Sequence, residues 1–155
     1  MGGAALLTAC SWITTFVVVN DTDAPIQVVY RLKEGGKLPP CPDDYFVGKP
    51  RIRPRESVDE LAFRGADIPI AEYTCDSASR TVTLQLPPRQ AVALFSVTGY
   101  TGHRTEQELQ QYNYVSYALE SLRIRGRSGE MQYVGNQVTR DFAKNNVALY
   151  ILTFR

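Results

Sequence analysis

Residues 12–32 constrain the fold more than any other part of the chain, because they contain two β-strand patterns around one turn. Residues 13–19 are all β-branched or aromatic, and such side chains suit a pleated, half-buried surface. Residues 20–25 read Asn-Asp-Thr-Asp-Ala-Pro, and these residue types favour turns. In residues 26–32 the even positions are all apolar, whereas Gln27 and Arg31 lie on the other face. We therefore predict a β-hairpin here.

Similar strand patterns recur later in the chain. Residues 81–86 alternate, with apolar side chains at the even positions. Residues 90–98 and 145–154 are apolar on both faces, which is typical of strands that are covered on both sides. Because Pro87 and Pro88 separate the first two of these segments, we predict a hairpin across the prolines.

The remaining strand predictions complete an all-β pattern. Short strands are expected at 57–63 and 68–75, and a second hairpin is expected from 119–126 and 130–134. About eight or nine short strands with turn signals between them are typical of a β-sandwich. The sequence thus predicts one antiparallel, immunoglobulin-like β-sandwich domain over residues 10–155.

An irregular segment, 33–55, interrupts the strands with five prolines and a Gly-Gly pair, so we expect a long surface excursion. Its last part alternates cations with other residues, at Lys49, Arg51, Arg53 and Arg55. In an extended chain these side chains would share one side. Such a stripe could meet an acidic partner or lipid headgroups, or could simply protect an exposed sheet edge.

The charge balance argues against partners that are recognised by charge alone. There are 17 Lys and Arg residues against 16 Asp and Glu residues, for a net charge of +1. We therefore expect no nucleic acid as partner.

The amino-terminal residues suggest export. Leu7-Thr8-Ala9-Cys10 resembles the lipobox of bacterial lipoproteins, in which small residues precede a cysteine that a signal peptidase exposes. The resemblance implies that residues 1–9 are the remnant of a signal peptide and that Cys10 is thioether-linked to diacylglycerol. Ser11 after the cysteine resembles the sorting pattern for the outer membrane. A secretory signal should carry Lys or Arg ahead of its apolar core, and residues 1–3 carry neither.

Two explanations therefore stay open for this segment. Either the true start lies upstream, or Cys10 is a buried cysteine in the first strand. A transmembrane helix over the uncharged residues 1–19 is not expected, because residues 13–19 have the composition of a strand.

The cysteine count fits the lipoprotein interpretation. The chain has three cysteines, and an odd number in an exported protein calls for an explanation. If Cys10 carries lipid, Cys41 and Cys75 remain as a possible disulfide. The alternative is two unpaired thiols in a reducing cytosol.

Catalytic and metal sites are not predicted. The only histidine, His103, cannot form a histidine metal cluster, and no nucleophile motif accompanies it. Residues 20–23 suggest a calcium loop, but Pro25 and the lack of a closing Glu favour a simple turn. Asn20-Asp21-Thr22 is also a glycosylation sequon. We expect no cofactor.

Aromatic and basic residues form the one candidate ligand-binding region. Exposed tyrosines on a sandwich can stack against sugar rings or apolar partner surfaces, although core packing would also explain them. The candidate residues are Tyr100, His103, Arg104, Tyr112, Tyr114 and Tyr117.

Taken together, these features predict a non-enzymatic cell-envelope lipoprotein that binds or braces another envelope component. Its lipid would hold it at a membrane, with the outer membrane favoured and the domain facing the periplasm or the cell surface. The alternatives are a carbohydrate-binding or other ligand-binding module and, third, a hydrolase.

Overall fold

Strand formation follows the hydrophobic patterns closely in the parts of the chain that the structure describes. A computed structural model describes residues 13–34, 39–43, 48–58, 67–98, 119–135, 137, 141–146 and 149–155. Within them lie ten strands and one short 3-10 turn at Arg55–Ser57. The strands are β1 Ile13–Asn20, β2 Ile26–Leu32, β3 Arg51–Pro54, β4 Tyr73–Asp76, β5 Thr81–Leu86, β6 Gln90–Thr98, β7 Leu119–Gly126, β8 Gly129–Val134, β9 Ala143–Asn146 and β10 Leu149–Phe154.

The strands form two five-stranded sheets that pack as a β-sandwich, which confirms the predicted fold class. The first sheet has the order β3-β6-β1-β10-β9, and the second has the order β4-β5-β2-β7-β8. Their pairs are antiparallel with one exception: β1 and β10 are parallel. The first and last strands therefore lie side by side in the middle of the first sheet.

Two predicted hairpins are wrong. Residues 20–25 connect β1 in the first sheet to β2 in the second, and residues 87–89 connect β5 in the second sheet to β6 in the first. Both turns are crossovers between sheets, which pack about 10 Å apart. Strand alternation shows which face of a strand is apolar, but it does not show whether the next strand pairs with it or packs across from it. The hairpin between β7 and β8 is confirmed.

Two further strand predictions are only partly right. The expected strand at 145–154 is divided into the end of β9 and the whole of β10. The expected strand at 68–75 is reduced to β4, because residues before it run along the edge of β3. There Ile52 N donates to Pro69 O at 2.9 Å, and Ala71 N donates to Pro50 O at 2.9 Å.

The main core lies between the sheets and is rich in aromatic side chains. Phe16 is central: its ring stacks on Phe95 at 4.7 Å and on Tyr150 at 5.3 Å, and it meets the edge of Phe142 at 5.4 Å. The second sheet contributes the apolar alternate residues of β2, β5 and β7. Burial of this one face and exposure of the other account for the strict alternation in β2 and β5, whereas a register shift interrupts it at the start of β7.

The first sheet is buried on its outer face as well. A second cluster there comprises Val17, Val19, Val58, Ala91, Ala93 and Leu149. This finding confirms the predicted coverage on both sides for residues 91–95 of β6, whereas Ser96 is exposed. The two strands β1 and β2 also differ in burial, because β1 buries both of its faces and β2 buries only one.

Candidate functional site

Asn20, at the end of β1, is fully buried, and its side chain takes part in five hydrogen bonds. Its amide nitrogen is 2.8 Å from Ala24 O, 3.1 Å from Leu86 O and 3.0 Å from Pro87 O. Its amide oxygen accepts hydrogen bonds from both the backbone N and the hydroxyl of Thr22, at 3.0 and 2.8 Å. Asn20 thus joins the two crossovers, because one lies on each side of its amide.

We call the hydrogen bonds of Asn20 to the two crossovers the joint. An ionic cluster covers this joint on the outside. Asp21, whose side chain is only 16% exposed, contacts Arg55 at 2.7 Å, Arg89 at 3.1 Å and Arg155 at 3.7 Å. The guanidinium of Arg89 also binds Asp23, through Nε at 3.1 Å and Nη2 at 2.8 Å. The hydrogen bond and charge of Asp23 raise the pKa of Arg89, with a smaller contribution from Asp21.

The cluster ties together four separate parts of the chain at what we call the crossover end of the sandwich. Besides the two crossovers, it includes the turn after β3 and the end of β10, since Asp21 N donates to Phe154 O at 2.9 Å. Arg89 reaches its partners from a backbone φ of 56°, which is uncommon for a residue with a side chain. The arrangement is structural: its carboxylates and guanidiniums bind one another.

These contacts settle two of the motif interpretations. Residues 20–23 form a turn, as predicted, with the carboxylate of Asp21 facing arginines, which disfavours a cation there. The sequon asparagine, Asn20, has no exposed surface, and its amide nitrogen is hydrogen-bonded to three carbonyls. It is therefore inaccessible to glycosylation in the folded chain.

Cys41 and Cys75 form a disulfide, as the cysteine count suggested, with 6.0 Å between their Cα atoms. Cys75 lies in β4, an edge strand, and Cys41 belongs to the irregular segment after β2. Arg80 Nη2 donates to Pro39 O at 3.0 Å and holds the same segment from the turn after β4. The bridge therefore fastens part of the long excursion to the second sheet.

The predicted cationic stripe lies at an edge strand, because β3 ends the first sheet. Arg51 and Arg53 are opposite Ala93 and Ala91 in β6 and share their outer face. Arg51 Nη1 donates to Ile68 O at 2.7 Å, while Arg55 belongs to the ionic cluster. Arg51 and Arg55 of the stripe thus make internal contacts.

The outer face of the second sheet is the broad exposed surface in the described part of the chain. It is mainly polar, with Val29 and Val134 as apolar members, and it carries no aromatic side chain among the described residues. Its members include Gln27, Arg31, Thr74, Thr81, Thr83, Gln85, Arg123, Arg125, Glu130 and Gln132. Two ion pairs lie on it, Arg31–Glu120 at 3.1 Å and Arg125–Glu130 at 2.6 Å. Exposed pairs of this kind contribute little to stability.

One buried polar group lies inside the core. The Tyr30 side chain is completely buried, and its hydroxyl has no hydrogen-bond partner among the described residues. Burial raises the pKa of Tyr30 above its usual value, and the neighbouring Tyr73 raises it further. The sequence pattern identified Tyr30 only as an apolar residue of β2, because alternation does not reveal where the hydroxyl group of a buried tyrosine lies in the core.

The other sequence-predicted site residues lie outside the described residues. These are the lipid-attachment residue Cys10 and the six candidate ligand-binding residues Tyr100, His103, Arg104, Tyr112, Tyr114 and Tyr117. Sequence reasoning placed Asn20 and Asp21 in a turn but missed the joint they form. The available signal was the concentration of four consecutive turn-forming polar residues directly after a strand that is apolar on both faces.

The described ranges show neither a metal site nor a membrane-spanning helix. They contain no group of three or more His, Cys, Asp and Glu side chains that could hold a metal ion. They also contain no helix that is long and apolar enough to cross a membrane. Comparisons of the chain with protein families, curated proteins and solved structures found no match.

Proposed function

We propose that this protein is a non-enzymatic lipoprotein of the bacterial cell envelope, tethered by a lipid on Cys10 and displaying its β-sandwich to another envelope component. The observation that carries the proposal is the Cys41–Cys75 disulfide. Of the three cysteines in the chain, it leaves Cys10 alone, inside the lipobox-like tetrapeptide. Structural disulfides persist mainly in oxidising compartments outside the cytosol, which agrees with export.

The start of the fold supports the same interpretation. Only Ser11 and Trp12 separate Cys10 from Ile13, the first residue of β1. The three residue steps from Cys10 to Ile13 span at most about 11 Å, so a lipid on Cys10 would hold the sandwich close to the membrane. The end at which β1 begins would face the bilayer, and the crossover end would face away from it.

The polar groups of the folded domain also fit a binding or bracing role. Asn20 and Asp21 are occupied by contacts that hold the crossovers together. Within the described ranges, the exposed face of the second sheet and the edge strands are surfaces that a partner could contact. An envelope scaffold needs such a rigid frame and an accessible surface.

The test is the intact mass of the protein produced from its own genomic region in its own host, with a carboxy-terminal tag. We expect a mature chain that begins at Cys10 and carries diacylglycerol, and that partitions into detergent with the membrane fraction. The Cys10→Ser variant should keep its leader residues and should not be acylated. A parent protein that retains Met1 and has an unmodified Cys10 would overturn the proposal.

A further inference from the structure

The four sheet edges in the described part of the chain are protected unequally. Exposed edge strands are templates for pairing with another chain, and proteins usually shorten, charge or cover them. The β3 edge is covered by residues 68–71 through backbone hydrogen bonds. The β4 and β9 edges are only four residues long, and β4 also carries the disulfide through Cys75.

The β8 edge is the least protected of the four among the described residues. It is six residues long, and its sequence, Gly-Glu-Met-Gln-Tyr-Val, contains no proline, lysine or arginine; its one charged residue, Glu130, is paired with Arg125 of the neighbouring strand. Val134 at its end is 55% exposed. No described residue covers this long sheet edge.

The pairing register identifies the backbone groups that are available on this edge. β7 and β8 are joined by the two-residue turn Arg127-Ser128, and Gly126 pairs with Gly129 beside it. In a hairpin of this kind the pair next to the turn is hydrogen-bonded, and alternate residues then point away from the partner strand. The N–H and C=O groups of Glu130, Gln132 and Val134 therefore point outward, and they have no backbone partner among the described residues.

Side chains along the edge define what could pair with it. Met131 and Tyr133 point toward the core, since they lie opposite Ile124 and Leu122, and Met131 is only partly buried. Tyr133 is already buried, and an added strand would complete the burial of Met131 if its side chain beside Met131 were apolar. Glu130, which pairs with Arg125 at 2.6 Å, disfavours an acidic residue directly opposite it.

A second copy of this chain does not fit the edge when both copies are tethered to one membrane. Antiparallel pairing of β8 with itself would invert the second sandwich. The start of its β1, and with it Cys10, would then point away from the bilayer. This step rests on the proposed lipid anchor.

We propose that β8 is the docking strand of this protein and that its occupant is an extended segment of another envelope protein, added as a sixth strand to the second sheet. The segment has apolar side chains at the alternate positions that face Met131 and Tyr133, and it has no acidic residue opposite Glu130. Backbone hydrogen bonds supply the affinity, and the alternate side chains supply the specificity, as in other cases of strand addition.

The test is site-specific photo-cross-linking in the full-length protein in its own envelope. Benzoylphenylalanine is placed singly at Glu130, Gln132 or Val134. Matched controls carry it at Thr74 and Gln85, which lie on the same outer face in β4 and β5. We expect the three β8 positions to link to one protein, at residues spaced two apart along a single segment, and the controls to give no such product.

Two variants test whether the backbone mediates the contact. Gln132→Pro removes an outward N–H without removing a hydrogen bond to β7, whereas Gln132→Ala keeps that N–H. We expect about tenfold less product from the Val134 position in the Pro variant and unchanged product in the Ala variant, because proline removes a hydrogen bond and crowds an added strand. Unchanged melting temperatures of both variants show that the fold is intact.

The outcomes separate this inference from the lipid anchor. The docking strand would be overturned if the β8 positions gave no product, or if the control positions gave equal products. It would also be overturned if the links were scattered over several segments or joined only copies of this chain, or if Gln132→Pro left the product yield unchanged. The intact mass of the same purified proteins reports acylation independently. An acylated protein without β8 cross-links refutes the docking strand alone, and an unacylated protein refutes the anchor whatever the cross-links show.

Discussion

Asn20 offers a quantitative test of how the two sheets are held together. Asn20→Ala removes an amide whose nitrogen lies within 3.1 Å of the carbonyl oxygens of Ala24, Leu86 and Pro87. The amide oxygen also loses both of its bonds from Thr22. The carbonyl of Leu86 is buried, and leaving such a group unsatisfied costs about 1–3 kcal/mol, while each of the four other bonds, which are only part-buried, contributes about 0.5 kcal/mol because water can replace the lost partner.

We therefore expect Asn20→Ala to lower the free energy of unfolding by about 3–5 kcal/mol, a large part of the roughly 5–15 kcal/mol typical of a domain. Asn20→Asp should be more destabilising at pH 7, because it places an ionised oxygen against three carbonyls. Burial should raise the pKa of the new carboxyl above its unfolded value of about 3.9. The folded protein then binds a proton at this carboxyl more tightly than the unfolded chain does. The Asn20→Asp variant should therefore regain stability as the pH falls from 7 towards 4.5.

Urea unfolding followed by circular dichroism, at pH 7 and pH 4.5 with the disulfide intact, measures these differences. Asp23→Asn is the matched control, since Asp23 is 89% exposed and exposed ion pairs contribute about 0–1 kcal/mol. The stabilising role of the joint is refuted if the free energy of unfolding of Asn20→Ala lies within about 1 kcal/mol of that of the parent protein, since such a change is typical of surface positions. An aspartate variant that is insensitive to pH would contradict its assigned burial.

Three further predictions concern stability. Tyr30→Phe should stabilise the protein by about 1–2 kcal/mol in urea unfolding, because the buried hydroxyl has no partner; the partly buried Tyr73→Phe should change little. Because burial raises the pKa of Tyr30, the parent should lose stability as the pH rises above about 10, where an unfolded tyrosine ionises, and Tyr30→Phe should lose less. Replacing Cys41 and Cys75 by Ala should cost about 3–4 kcal/mol in the chain-entropy treatment of their 34-residue separation, and an equal melting temperature with and without the bridge would contradict this. Gly126→Ala should cost about 1–3 kcal/mol, because a Cβ would lie 2.6 Å from a ring carbon of the last strand; a melting temperature equal to that of the parent would contradict that close approach.

Much of the strand content could be predicted because alternation reports directly on burial. β2 and β5 show this best: their even positions are buried and their odd positions are polar or partly exposed. β6 was predicted with its observed bounds, since Pro87, Pro88 and the double-sided apolar run define it. The all-β sandwich followed from these patterns together.

Connectivity could not be predicted in the same way. The turn after β1 and the turn after β5 contain ordinary turn residues, and such residues serve hairpins and crossovers equally. The deciding contacts are made by Asn20 with Leu86 and Pro87, residues that lie 66 and 67 positions away. The parallel pairing of β1 with β10 is equally non-local, because it joins the two ends of the described chain.

The proposed site residues depend on a different kind of signal. The disulfide was suggested by counting cysteines and is confirmed. The lipid on Cys10 and the ligand-binding role of the region around Tyr112 remain predictions. The open β8 edge had no counterpart in the sequence pattern, since only the sheet order shows that β8 has a single neighbour.

Counting reactive thiols tests the central claim most directly, because it examines all three cysteines at once. The mature protein is isolated from its host's envelope, denatured and alkylated before and after reduction, and the added groups are counted by mass. A bonded Cys41–Cys75 pair and an acylated Cys10 predict no alkylation before reduction and two sites after it. One site before reduction and three after it would show that Cys10 is a free thiol, and the lipoprotein account would be wrong.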